Sequence, residues 1–183
     1  MTPAVPPPSA WIVAGGEAKR FGSDKAMAIL GGETLLARTA RVCGECGLTV
    51  TVVARRPRDG GLPTLLEPLR AEHHPLFGVA AALHAAAARG ESTALLLPCD
   101  LPDLSSAAVL AVLAGGSPTF AEGQPLLCHL PVGLAASALA AALSGAPVRA
   151  FLRAAAARPV FVGELRNLNR PEPGVQPAAQ YSK

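Results

Sequence analysis

Three short strand-like runs constrain the fold of this chain more than any other feature. They are Ala10-Trp11-Ile12-Val13-Ala14, the β-branched stretch from Leu48 to Ala54, and Thr93-Ala94-Leu95-Leu96-Leu97. A strand with one face in water would alternate, so the first run, which does not, predicts a strand buried on both faces; 93–97 reads as another buried strand, and 48–54 as a strand from its β-branched residues. Helical spacing separates them. Residues 34–46 place Leu35, Leu36, Thr39, Val42 and Cys43 on one side, with Thr34 in a capping position. Residues 78–89 read as an alanine-rich helix, and Ser105 can cap another that runs to about Leu113. A brief strand at 63–67, short strands near 118–121, 125–130 and 159–162, and helices near 133–143 and 148–157 complete the pattern. Strands alternating with helices predict the α/β class: a three-layer α/β/α sandwich with a mostly parallel, Rossmann-like sheet. Ligands of such sheets bind at the carboxyl ends of the strands.

With 183 residues, half of them apolar and 4% aromatic, the chain can fill one core from Ala, Leu and Val. The proline-rich residues 1–9 are expected to be a disordered tail, 10–170 a single domain, and 171–183, with three prolines, a loose C-terminal tail. The net charge of +3 comes without a run of Lys or Arg, so charge implies neither a nucleic-acid nor a membrane partner. The cysteines are Cys43, Cys46, Cys99 and Cys128. Cys43-Gly-Glu-Cys46 lacks a second pair to complete a zinc site, and it ends a helix rather than preceding one. These read as ordinary thiols of a reducing compartment. The opening residues lack a signal peptide's basic and apolar regions, and no apolar run approaches the roughly 18 to 20 residues a membrane span needs. A cytoplasmic protein is expected.

The segment Val13-Ala14-Gly15-Gly16-Glu17-Ala18-Lys19-Arg20-Phe21-Gly22-Ser23-Asp24-Lys25 follows the first strand. Glycines let main-chain N–H groups approach a ligand, and convergent amides make an anion nest. Lys19, Arg20 and Lys25 add three cations to the same loop. The spacing is not that of a P-loop, and no GxGxxG is present. A solvated surface loop is the competing reading. After the run at 93–97 comes Pro98-Cys99-Asp100-Leu101-Pro102. Asp100 there could be a hard-oxygen ligand for Mg²⁺ or simply a turn former before proline, and Asp103 could cap a helix. Two further clusters are weaker. Glu67 closes the strand at 63–67, and Asn167-Leu168-Asn169 sets two amides at i, i+2 on an extended segment, facing the same way. His73 and His74 are neighbours, while His84 and His129 stand apart. None of these four histidines belongs to a metal-ligand set, and they read as structural or solvent-facing residues.

The first loop resembles the signature of the molybdenum cofactor guanylyltransferases, within the nucleotide-diphospho-sugar transferase-like group. The match lies at Ala14, Gly15, Gly16, Arg20, Phe21, Gly22, Asp24 and Lys25, and Pro98-Cys99-Asp100-Leu101-Pro102 is similar to the family's metal-binding string. Cytidylyltransferase relatives usually carry Ala-Ala-Gly, so Gly15-Gly16 tilts the resemblance toward guanine. The resemblance implies Mg²⁺-dependent transfer of GMP from GTP to the terminal phosphate of molybdopterin or Mo-molybdopterin, with molybdoenzyme maturation proteins as further partners. It implies catalytic roles for Lys25, Arg20 and Asp100. Nucleotide binding would fall to Val13, Ala14, Gly15, Gly16, Gly22, Lys25, Glu67 and Asp100, metal binding to Asp100, and acceptor binding to Asn167 and Asn169. Four positions depart from the pattern. Glu67 stands where an Asp is usual, with Glu72 as a rival; Arg170 replaces Thr after the Asn pair. Pro75-Leu76-Phe77-Gly78-Val79 matches its segment loosely, and after the second strand, where the family often has Asn, this chain reads Val52-Val53-Ala54-Arg55-Arg56. A cytidylyl or sugar-phosphate nucleotidyltransferase and a non-catalytic nucleotide-binding module remain the alternatives.

Overall fold

In the computed structural model, residues 8–15, 24–57, 61–68, 73–168 and 172–177 are described. Among them the chain runs β1 (Ser9–Val13), β2 (Ile29–Leu30), β3 (Glu33–Thr34), α1 (Leu35–Glu45), β4 (Val50–Ala54), β5 (Thr64–Leu66) and α2 (Pro75–Ala88). It continues through β6 (Thr93–Pro98), α3 (Ser106–Ala114), β7 (Thr119–Ala121), β8 (Gln124–Pro131), α4 (Ala135–Leu143), α5 (Val148–Ala154), β9 (Arg158–Val160) and β10 (Val175–Gln176). Seven strands form one sheet in the order β5-β4-β1-β6-β8-β7-β9. Pairings among β5, β4, β1 and β6 are all parallel, as is β7 with β9; only β8 runs antiparallel to its neighbours.

These three runs explain the layering. Successive residues of a strand point to opposite faces, and both faces are covered. Trp11, Val53 and Leu96 pack against α2, α4 and α5 on one side. Ala10, Leu95 and Leu97 meet α1 and α3 on the other, where Ile12 and Val52 pack with Leu36 of α1. The result is the three-layer α/β/α sandwich with a mostly parallel sheet. Local signals set the helix starts. Thr34 Oγ1 accepts from Ala37 N at 3.1 Å, and Ser105 Oγ accepts from Ala108 N at 3.2 Å, so both predicted caps form. Helix α2 begins three residues before the expected start. Pro75 occupies its first turn, where a missing N–H matters least, and His74 Nδ1 caps it by accepting from Leu76 N at 3.2 Å.

A small three-stranded sheet, β10-β2-β3, was not foreseen. Part of the stretch read as a loose tail contributes β10, where Val175 pairs with Leu30 and packs near Leu168, Ala28 and Leu35. Among the described residues no helix is long and apolar enough to cross a membrane.

Candidate active site

Parallel pairing brings the ends of β5, β4, β1 and β6 to one edge, and strand register decides which residues meet there. The last registered pair of β1 and β6 is Val13–Pro98, so Gly15 and Asp100 each stand two residues further on. The last pair of β4 and β5 is Ala54–Leu66, so Arg55 and Glu67 come next, and Glu67 N donates to Ala54 O at 3.0 Å. Strand β8 pairs antiparallel to β6 with Leu96 opposite Cys128; carried forward, that register sets Gln124 across from Asp100. Of these, Gly15, Glu67, Asp100 and Gln124 line a cleft of about 360 Å³ that also includes Val13, Ala14, Lys25 and Asn167.

At one end of the cleft Lys25 Nζ donates to Asp100 Oδ2 at 2.8 Å, with the two side chains 17% and 24% exposed. Lys25 opens a single helical turn whose cap is Asp24, the Oδ1 of which accepts from Ala26 N at 3.1 Å. The cation and the carboxylate, separated by 75 positions in the chain, therefore share one wall. The segment before β10 closes over them. Leu168 N donates to Asp100 O at 2.9 Å, Asn167 Nδ2 donates to Gln124 Oε1 at 2.9 Å, and Gln124 Nε2 donates to Leu165 O at 2.7 Å.

At the other end lies Glu67, three strands from β6. At about 4.8 Å per strand the β5 backbone is roughly 14 Å from β6 along the edge, but the Glu67 side chain reaches back across β4 to Gly15 at the end of β1. Its side chain is only 10% exposed, and Arg55 Nε stands 3.7 Å from its Oε1. Burial pushes the Glu67 pKa above the usual carboxylate range, while the charges of Arg55 and His73 pull it back in part. Two glycines make room for this carboxylate. A Cβ on Gly15 would lie 2.7 Å from Glu67 Oε1, and one on Gly78 would lie 3.2 Å from Oε2 and 2.8 Å from Val13 Cγ1. His73 and His74 line the same end.

Of the residues singled out from sequence, the cleft unites Val13, Ala14, Gly15, Lys25, Glu67, Asp100 and Asn167. Gly16, Arg20, Gly22 and Asn169, with the rival Glu72, lie outside the described residues. Sequence reasoning passed over Gln124, whose partners are about forty positions away, and over His73 and His74 as cleft residues. No motif marks any of the three. The two histidines carried a signal only in standing beside the Pro75 segment.

Residues 10–160 match the family described as the MobA-like NTP transferase domain. The chain belongs to the MobA-like NTP transferase family. Among its relatives, a protein of Rhodopseudomonas palustris named molybdenum cofactor guanylyltransferase is 33% identical over 149 residues, covering 70% of this chain and 68% of that one. A probable molybdenum cofactor guanylyltransferase of Opitutus terrae is 40% identical over 99 residues, which span 52% of this chain and 49% of the relative. The chain thus matches about half the length of that second protein. The molybdopterin-guanine dinucleotide biosynthesis protein A of Archaeoglobus fulgidus shares the fold, with a TM-score of 0.65, 16% identity and coverage of 84% of this chain and 83% of that one. A Thermus thermophilus 2-C-methyl-D-erythritol 4-phosphate cytidylyltransferase shares it too, with a TM-score of 0.60, 20% identity and coverage of 90% and 93%. The MobA-like fold is therefore common to proteins named for different bases, and the base must be argued from side chains.

Proposed function

We propose that this MobA-like chain is a cytoplasmic guanylyltransferase that moves GMP from GTP to the terminal phosphate of molybdopterin, with release of pyrophosphate. The observation that carries the reading is the Lys25–Asp100 contact of 2.8 Å within a cleft at the carboxyl edge of the sheet. A cation and a carboxylate that close together address the same phosphates. Asp100 offers one hard-oxygen ligand, and no group of three or more His, Cys, Asp or Glu able to hold a metal stands among the described residues. That donor set fits a magnesium ion, which takes one or two protein carboxylates and fills its remaining positions from phosphate and water. Bound at Asp100, the ion would supply Lewis-acid neutralisation of phosphate oxygens.

The chain's own residues then have an alignment task. An acceptor phosphate, with a second pKa near 6, is already an anion and needs no general base. Its oxygen bonds to the α-phosphorus of GTP as the bridging bond to the β-phosphate breaks, and the electron pair leaves with pyrophosphate. Lys25 holds the triphosphate and offsets charge on the leaving group, and the backbone of Gly15 cradles the nucleotide. Asn167, fixed by Gln124, faces the acceptor beside Asp100. With the phosphates at Lys25 and Asp100, the base lies toward Glu67. Guanine presents N1–H and N2–H side by side, which one ionised carboxylate can accept together. Adenine and cytosine place a ring acceptor where guanine has N1–H, so a carboxylate repels them.

Purified protein supplied with molybdopterin, Mg²⁺ and each of the four ribonucleoside triphosphates tests the reading. Pyrophosphate should appear with GTP. Faster release with CTP would make the chain a cytidylyltransferase, and release with none would leave only a nucleotide-binding role.

A further inference from the structure

We propose that Arg55 is a specificity-determining positioning residue, which fixes the Glu67 carboxylate in its charged, base-facing orientation from behind. The inference rests on the guanine reading of Glu67 and deepens it. Arg55 and Glu67 follow the last registered pair of two adjacent parallel strands, so the backbone sets them side by side. Arg55 Nε stands 3.7 Å from Glu67 Oε1, and Arg55 Nη1 lies 2.9 Å from His73 Nδ1. Glu67 lines the cleft, whereas Arg55 is set back from it.

Among the described residues, four groups stand around the carboxylate: Gly15 at the end of β1, Gly78 in α2, Arg55 at the end of β4, and His73 before α2. The two glycines leave the cleft side open to a flat base edge. Among the described residues the charged or titratable members are Arg55 and His73, both of which favour the ionised form against the effect of burial. Loss of Arg55 leaves burial less opposed, so more of Glu67 carries a proton. A protonated carboxyl offers a donor in place of one acceptor and cannot take both guanine hydrogens. An extended carboxylate in a dry corner needs a cation with matching reach, and Arg55 supplies it.

Binding calorimetry with Mg²⁺ and either GTP or ITP, without molybdopterin so that no turnover occurs, tests this. ITP keeps N1–H and lacks the N2 amine. The wild type should prefer GTP by about tenfold or more, the scale of one charge-assisted hydrogen bond. Arg55→Met should cut that preference to within about threefold and shift the acid limb of GTP binding to higher pH. Arg55→Lys should recover most of both, and Arg55→Gln replaces the Met variant if its melting curve shows a folding defect. An unchanged GTP-to-ITP ratio and acid limb in the neutral variant, even with both nucleotides weakened equally, would mean a merely structural Arg55 and overturn the proposal. A wild type that binds GTP but does not distinguish it from ITP would overturn the guanine reading of Glu67 and this inference with it.

Discussion

Replacing Gly78 by alanine sets two opposed effects against each other. In an open helix the exchange stabilises by about 0.5–1 kcal/mol, because glycine loses more backbone freedom on folding. At Gly78, the fourth residue of α2, the new Cβ would lie 2.8 Å from Val13 Cγ1. Ordinary carbon contacts fall near 3.5–4.0 Å, so either the helix retreats by about 1 Å or Val13 leaves its preferred rotamer, which a β-branched side chain resists. Overpacking of this kind costs about 1–3 kcal/mol. The net expectation is a loss of about 1 kcal/mol, or a Tm lower by roughly 2–4 °C for a chain of this size. The same Cβ approaches Glu67 Oε2 to 3.2 Å, so GTP binding should weaken as well. Gly44, in α1, serves as the control: a Cβ added there would meet nothing within 4 Å, so Gly44→Ala should raise Tm. Thermal unfolding and GTP calorimetry on both variants decide the matter. A Gly78→Ala protein with a raised Tm and intact GTP affinity would refute the packing argument.

Three further predictions concern the same cleft and the thiols. Gly15→Ala meets first the far end of the Glu67 side chain, at 2.7 Å, so Tm should hold within about 2 °C while GTP affinity falls about tenfold or more, as for a lost charged hydrogen bond; a large Tm loss with normal binding would contradict this. Because the folded chain raises the Glu67 pKa, it binds that proton more tightly than the unfolded chain, and the stability so gained is lost as pH rises through the raised value. Glu67→Gln should therefore melt higher than wild type at pH 7.5, with the margin shrinking toward pH 4, and no margin at neutral pH would count against it. Burial pushes the Cys43 and Cys128 thiols up to about 12, so both should escape iodoacetamide at pH 8 in the native state, and Cys43→Ser with Cys46→Ser should retain transferase activity; labelling of both, or lost activity, would contradict this reading of the thiols.

The parallel half of the fold was legible because β1, β4 and β6 are buried on both faces and say so in composition, and because Thr34 and Ser105 are ordinary caps. Two-residue strands have no periodicity to read, which hid β2, β3 and β10. The early start of α2 was hidden by a histidine acting as its cap. At the site, Lys25 and Asp100 could be named from loops that follow buried strands. Their contact could not, since it depends on β1 and β6 being neighbours. Arg55 was visible only as a departure from a pattern; the β4–β5 register turned it into a partner for Glu67. Gln124 gave no local signal because its meaning comes wholly from Leu165 and Asn167.

Lys25 and Asp100 must grip one triphosphate jointly if this chain transfers a nucleotide as proposed. The direct measurement is the rate of pyrophosphate release from GTP, with molybdopterin and Mg²⁺, for wild type, Lys25→Ala and Asp100→Ala. Each variant should fold and yet be slower by about a hundredfold or more, the loss typical of removing one preorganised electrostatic group. Near-normal rates in both variants would contradict it.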